Sequence, residues 1–208
     1  MVHTHSRRRY IILITMLEDI VRLYTSLAPV IVGGVLTSVV SSYQLFSRLD
    51  KPLDGGMVFK DGRRLFGPSK TYRGALSYII LTALCMAIWG LIKNVEPYNM
   101  FYTYHQNTLL YDLGVGALLG AAWVAGELPN SFMKRRLSIG QSHQLAGLKK
   151  ISLIALDQAD SIIVVVLVIA IFYPLQITQY CLFVIVGALT HLMFNYLLYI
   201  AKLRKNPV

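Results

Sequence analysis

Charge is scarce in this chain: Asp, Glu, Lys and Arg make up 14% of 208 residues, and only 10 residues are acidic. A water-soluble domain carries about a quarter of its residues as charges, so a fully hydrated surface is excluded, and a mean hydropathy of +0.55 agrees. Cysteine is nearly absent. Cys85 and Cys181 both fall inside apolar runs, where they read as small packing residues, and two cysteines make no disulfide framework. Histidine offers no candidate general base: His3, His5, His105 and His143 fall in terminal or loop segments, and His191, one turn from Asn195, reads as packing. Internal repeats, low-complexity tracts and interdomain linkers are also missing, which leaves one domain, 1–208.

What is present in quantity is apolar sequence, 55% of the chain. Runs of ~20 residues, each able to cross ~30 Å of hydrocarbon, lie at roughly Leu23 to Phe46, Gly74 to Ile92, Leu109 to Ala125, Ser152 to Tyr173 and Ile177 to Ala201. An all-α integral membrane protein of about five transmembrane helices is therefore expected. Basic residues set its orientation, because Lys- and Arg-rich loops stay in the cytoplasm. They gather in 47–73 (Arg48, Lys51, Lys60, Arg63, Arg64, Lys70, Arg73), in 126–151 (Lys134, Arg135, Arg136, Lys149, Lys150) and in the tail (Lys202, Arg204, Lys205), whereas Lys93 is alone between the second and third spans. Two cytoplasmic basic loops, an outside N-terminus and a cytoplasmic C-terminus follow. Arg7, Arg8 and Arg9 go against that rule, and residues 10–22 read as an interfacial amphipathic helix within an N-terminal segment 1–22. A cleavable signal is disfavoured because Glu18, Asp19 and Arg22 occupy the place of a small-residue cleavage site. Tyr98, Tyr102 and Tyr104 read as an outer interfacial belt, and Gly116 and Gly120 as a small-x-x-x-small packing pair.

A net charge of +10 raises nucleic acid as a partner. The basic residues, however, flank membrane spans without a nucleic-acid motif, and phosphate-bearing substrates and anionic headgroups explain them better. The first loop reads Lys51-Pro-Leu-Asp54-Gly55-Gly56, then Lys60-Asp61-Gly62-Arg63-Arg64-Leu-Phe-Gly67-Pro68-Ser69-Lys70-Thr71-Tyr72-Arg73-Gly74. Its glycines let backbone N–H groups approach an anion, and Arg63, Arg64, Lys70 and Arg73 supply charge-assisted hydrogen bonds. Gly62 and Gly67 share the spacing of a Walker A loop, but Pro68 and Ser69 intrude before Lys70 and no buried strand precedes. Lys70 to Gly74 runs straight into a membrane helix, so its groups sit at a helix N-terminus, where an anion is favoured.

The second basic segment begins Gly126-Glu127-Leu-Pro129-Asn-Ser131-Phe-Met-Lys134-Arg135-Arg136. If helical after Pro129, Ser131, Lys134 and Arg135 share a face. Asp157 and Asp160 follow, the only acidic residues of the fourth apolar run. Carboxylates three apart lie on one helix face, and ionisable groups inside a bilayer are functional by default. The pair can hold a divalent cation beside a cationic surface.

In these residues the chain resembles the membrane-embedded CTP-dependent cytidylyltransferases of phospholipid synthesis. Their signature runs Ser-x-x-Lys-Arg, a spacer, then Asp-x-x-Asp, with a Lys-Thr-aromatic-x-Gly element upstream, matched here by Lys70 to Gly74. Pro52-Leu-Asp54-Gly, Asp61-Gly62-Arg63-Arg64 and the small size resemble the archaeal branch, the CDP-archaeol synthases. The likeness covers roughly 48–160. The bacterial and eukaryotic His-Gly-Gly is replaced by Ile154-Ala155-Leu156, the proline expected near there in the archaeal branch is absent too, and Glu127 stands where the family often has aspartate.

The resemblance implies transfer of a cytidylyl group from CTP to an unsaturated isoprenoid ether-lipid phosphate, 2,3-bis-O-geranylgeranylglyceryl phosphate, with release of pyrophosphate. It implies Mg2+ held by Asp157 and Asp160, catalytic roles for Lys134, Arg135 and Lys70, and substrate binding by Asp54, Asp61, Gly62, Arg63, Arg64, Gly67, Ser69, Thr71, Arg73 and Ser131. The site is expected at the cytoplasmic face of the cell membrane, with CTP, the lipid phosphate and the bilayer as partners and no nucleic acid or obligate protein partner. The alternatives are an ester-lipid phosphatidate cytidylyltransferase, a CDP-alcohol phosphotransferase, whose further spaced aspartates are lacking after Asp61-Gly62, and an ion-coupled transporter, whose carboxylates belong nearer the bilayer midplane.

Overall fold

A computed structural model describes residues 2–92, 95–137, 147–204 and 206. Lys93, His143 and Lys205 lie outside the described residues, as do the side chains of His3, His5, Arg7, Arg8, Arg9, Lys149 and Lys150. Five long helices follow in chain order: α1 (Val2–Ser42), α2 (Tyr72–Gly90), α3 (Leu109–Arg136), α4 (Gly147–Phe172) and α5 (Ile177–Ile200). Each contains a stretch long and apolar enough to cross a membrane. Among the described residues there is no strand, only isolated bridges at Pro52–Thr71 and Val58–Arg64 in the first loop. The expected all-α membrane architecture is observed.

Packing is built on α3, which lies against α2 on one side and α4 on the other, with α1 against α2 and α5 against α4. Glycines permit the closest contact. A Cβ on Gly116 would fall 2.7 Å from the Ala83 Cα, and one on Gly120 2.7 Å from the Ile79 Cα, so α2 and α3 touch backbone to backbone. At that separation only hydrogen fits. The outward faces read as lipid contact: Ile80, Leu84 and Ile88 on α2, and Ile185, Leu189 and Met193 on α5, are exposed at four-residue spacing.

Two helices extend beyond their expected bounds. α1 is unbroken from Val2 to Ser42, so the residues 10–22 expected to lie along the interface are continuous with the first apolar run in a single helix. Pro29 lies inside it. Proline lacks the N–H that would bond the carbonyl four residues earlier, and the Trp89 indole donates to that Thr25 carbonyl instead, at 2.9 Å. The other extension is α3, which continues past Ala125 and Pro129 to Arg136, so the first eleven residues of 126–151 are helix. Lys134, Arg135 and Arg136 occupy its last turn, where cations complement the helix dipole.

The tyrosine belt holds only in part. Tyr98 and Tyr104 are exposed, but Tyr102 is buried in a 3-10 turn, Met100–Tyr102, that plugs one end of the bundle. Its hydroxyl donates to Asp112 Oδ1 at 2.8 Å, satisfying a carboxylate that is itself buried. Cys85 and Cys181 are free thiols, Cys181 exposed.

Gly116→Val and Gly120→Val should each lower thermal stability in detergent, by about 1–3 kcal/mol as overpacking does. Gly114→Val, where an added Cβ meets nothing within 4 Å, should lie close to wild type in the same melting assay.

Candidate functional site

The expected aspartate pair faces the last turns of α3. Gly126 sets that seam, since a Cβ there would lie 2.6 Å from the Ser161 Cα. One turn further along α3, the buried Asn130 amide donates to both carboxylates, to Asp157 Oδ1 at 2.6 Å and to Asp160 Oδ2 at 2.8 Å. Lys134, one turn on again, ion-pairs with Asp157. Ser161 holds the other oxygen of Asp160, through its backbone N–H at 2.6 Å and its hydroxyl at 3.1 Å. Two carboxylates that share one nitrogen converge on one spot.

That spot suits a hard cation. The aspartates supply oxygen, and Asn130 Oδ1 is a buried acceptor with no partner among the described residues. No cluster of three or more His, Cys, Asp or Glu ligands occurs among the described residues. Mg2+ typically takes one or two carboxylates and completes its shell with water and substrate phosphate, so the donor set fits that ion.

The first loop is clamped to the same end of α3. Asp54, fully buried, gathers the loop: its carboxylate accepts from Arg64 at 2.6 Å and from the backbone N–H groups of Gly56, Phe66 and Gly67 at 3.0, 3.2 and 3.1 Å. Burial works against this charge, but Arg64 and the three N–H groups outweigh it and hold the carboxyl well below the usual aspartate range. Arg136 crosses from α3 to the loop, donating to the Arg63 and Arg64 carbonyls at 3.2 and 2.6 Å, pairing with Asp61 at 2.9 Å and lying over the rings of Phe59 and Phe132. Arg63 returns the clamp to the carbonyls of Arg135 and Arg136. Gly67, at φ +98°, lies beneath the Arg135 guanidinium, and a Cβ there would fall 2.6 Å from Arg135 Nε. Gly62, at φ +75°, closes the tip of the loop.

At the base of the loop, Thr71 caps α2 by accepting from the Gly74 N–H at 3.2 Å, and Arg73 pairs with Asp50 at 2.9 Å. Lys70 ion-pairs with Glu127 of α3, whose other oxygen accepts from the Trp123 indole at 3.1 Å. Ser69, Lys70 and Thr71 line one wall of a cavity of about 230 Å³ between α1, α2, α3 and α5. Its apolar lining includes Leu27, Val30 and Ile31, and Tyr78 stacks on Trp123 inside it, with ring centroids 5.2 Å apart.

The structure thus separates the expected site residues into groups. Asp157, Asp160 and Lys134 meet at the α3–α4 seam, joined by Asn130. Lys70, Ser69 and Thr71 face the cavity. Asp54, Asp61, Gly62, Arg63, Arg64, Gly67 and Arg135 form the clamped loop and its contact with α3, while Arg73 is turned to Asp50. Ser131 makes no side-chain hydrogen bond among the described residues. His191 does not bond Asn195; its Nδ1 lies 3.3 Å from the Gln158 carbonyl, and Asn195 donates to the Gln158 side chain at 2.8 Å. His191 also lines the cavity, with its ring edge-on to Trp123. Sequence reasoning gave no role to Asn130 or Gln158: Asn130 lies on a different helix from the aspartates, and Gln158, next to Asp157 in the chain, falls on another face of α4.

A family model described as CarS-like, CDP-archaeol synthase, matches residues 35–207. The chain belongs to this family. CDP-archaeol synthase from Pyrobaculum calidifontis is 31% identical over 193 residues, 92% of this chain and 99% of that protein. CDP-archaeol synthase from Methanosarcina barkeri is 31% identical over 166 residues, 76% of this chain and 90% of that protein. A solved structure, described as giving insight into an intramembrane enzyme for archaeal membrane lipids biosynthesis, shares the fold with a TM-score of 0.52 at 23% identity, covering 79% of this chain and 91% of that one. The family match takes in α2 to α5 whole, with the clamped loop and the aspartate seam.

Asp54→Ala should lower stability by about 3 kcal/mol, as breaking a buried ion pair does. Because the folded pKa is depressed, the stabilisation is full above the unfolded aspartate value near 4 and fades as pH falls below it. Melts from pH 8 down to pH 3 should therefore show a constant gap between wild type and variant that narrows only at the acid end.

Proposed function

We propose that this membrane enzyme transfers a cytidylyl group from CTP to an unsaturated ether-lipid phosphate, 2,3-bis-O-geranylgeranylglyceryl phosphate, at the α3–α4 seam. Family membership carries the reaction class. The convergence of Asp157 and Asp160 on one Asn130 amide is the observation that carries the site. A lipid phosphate oxygen forms the new bond to the α-phosphorus of CTP, the bond from that phosphorus to the bridging oxygen breaks, and pyrophosphate leaves. The lipid phosphate is already an anion near neutral pH, so no general base is required.

Such chemistry asks chiefly for positioning and charge neutralisation. Asp157 and Asp160 would hold Mg2+, which when bound offsets the negative charge of the nucleotide phosphates. Asn130 orients both carboxylates, and the ion pair with Lys134 turns Asp157 to the seam. Arg135, with no carboxylate partner among the described residues, and Lys70 are the cations placed to meet phosphate oxygens. The clamp through Asp54, Arg63, Arg64 and Arg136 holds the loop so that Lys70 stays at the cavity wall. The first loop, the end of α3 and the tail gather the basic residues at one end of the bundle, which supports placing this end in the cytoplasm. CTP would arrive from water there and the lipid from the leaflet.

Pyrophosphate release by the detergent-purified protein should require CTP, Mg2+ and the ether-lipid phosphate. Asp157→Asn and Asp160→Asn should each reduce it at least about hundredfold, as the loss of a preorganised charge-stabilising group does. Asn130→Ala should reduce it about 10–100-fold and raise the Mg2+ concentration needed for half-maximal rate. Undiminished release in both aspartate variants would remove the pair from the mechanism, and equal turnover of a diacyl phosphatidate would remove the ether-lipid preference.

A further inference from the structure

We propose that Arg204, in the tail after α5, is a substrate-phosphate-binding residue of the cavity. The proposal rests on the cytidylyltransferase reading above and adds a residue outside both basic motifs.

The chain reverses at the end of α5 to bring Arg204 there. Lys202 adopts φ +59°, a left-handed conformation that disfavours any residue with a Cβ, and the Leu203 N–H returns to the Leu198 carbonyl at 2.9 Å. Ser42, at the end of α1, donates to the Leu203 carbonyl at 2.6 Å and fixes the turn. Arg204 then donates to Asn195 Oδ1 and lines the cavity. Asn195 in turn bonds Gln158, which stands between the two aspartates on α4. The tail is thus linked through two amides to the helix that bears the proposed metal ligands. Burial pushes the Arg204 guanidinium below its ordinary pKa, against the opposing charges of Glu127 and Asp157, neither of which forms an ion pair with it among the described residues.

Charge accounting within the cavity points the same way. Its cationic lining residues are Lys70 and Arg204. Lys70 already has an ion-pair partner in Glu127, whereas the only hydrogen-bond partner of Arg204 among the described residues is a neutral amide. A guanidinium beside an apolar cavity, without a carboxylate in ion-pair contact among the described residues, is matched to an incoming anion, and its fork geometry suits phosphate oxygens. The ligand chemistry is therefore a phosphate, and two substrates carry one. The apolar walls from α1, Leu27, Val30 and Ile31, favour the phosphate whose other end is alkyl.

The test is a split of Michaelis constants in Arg204→Ala and Arg204→Lys. Arg204→Ala should raise KM for the ether-lipid phosphate about tenfold or more, the loss of one charge-assisted hydrogen bond, with the KM for CTP within twofold, and Arg204→Lys should recover part of the loss. A rise in the KM for CTP instead would keep the phosphate role and assign it to the nucleotide. Unchanged constants for both substrates, or a fall in kcat alone, would overturn the proposal. Binding without CTP separates this from failure of the enzymatic reading: a glyceryl phosphate with brominated chains should quench tryptophan fluorescence of the wild type at about tenfold lower concentration than that of Arg204→Ala. Such a difference in a protein that turns over no CTP would leave Arg204 a phosphate ligand and sink the reaction instead, whereas identical quenching curves, with the KM for CTP unchanged, would overturn Arg204.

Discussion

Two carboxylates inside a membrane helix can exist only where something answers their charge, and here that is the close approach of α3 to α4 at Gly126. A side chain at that position would meet the backbone of Ser161, so glycine brings the two helices together. One turn later Asn130 reaches both aspartates, and after another turn Lys134 reaches Asp157. Unpaired carboxylates at such a depth would cost several kcal/mol or take up protons. The seam holds them hydrogen-bonded, adjacent and at one end of the bundle, an arrangement that suits a divalent cation.

The rest of the cationic apparatus depends on α3 running on past its apolar stretch. Because the helix continues to Arg136, its last turn stands beside the first loop, and Arg63 and Arg136 cross-link the two by capping each other's carbonyls. Several arginines are consequently engaged in holding backbone, while Arg135 has no carboxylate partner among the described residues and Lys70 faces the cavity. A loop rich in Lys, Arg and Gly therefore need not be uniformly a phosphate cradle. Its geometry divides structural cations, paired with Asp50, Asp54 or Asp61, from those left to meet a substrate.

The five-helix membrane fold was legible in the sequence because apolar run length and the scarcity of charge are direct physical demands of the bilayer. The aspartate pair was legible for the same reason, since two carboxylates in an apolar run demand an explanation. Helix ends were less so: Pro129 reads as a boundary, yet α3 passes through it, and only the packing of Gly126 against α4 and the contacts of Lys134 to Arg136 explain why. Tyr102 reads as an interfacial residue, but the buried Asp112 claims its hydroxyl. Asn130, Gln158, Asn195 and Arg204 could not be grouped from spacing at all, because their association crosses α3, α4, α5 and the tail.

The most direct test of the aspartate pair as the metal-holding centre is anomalous diffraction from crystals grown with CTP and Mn2+ in place of Mg2+. The expected result is a manganese peak between the Asp157 and Asp160 carboxylates, in contact with nucleotide phosphate oxygens. A nucleotide bound with its metal away from these two residues, their carboxylates still bridged by Asn130, would contradict it.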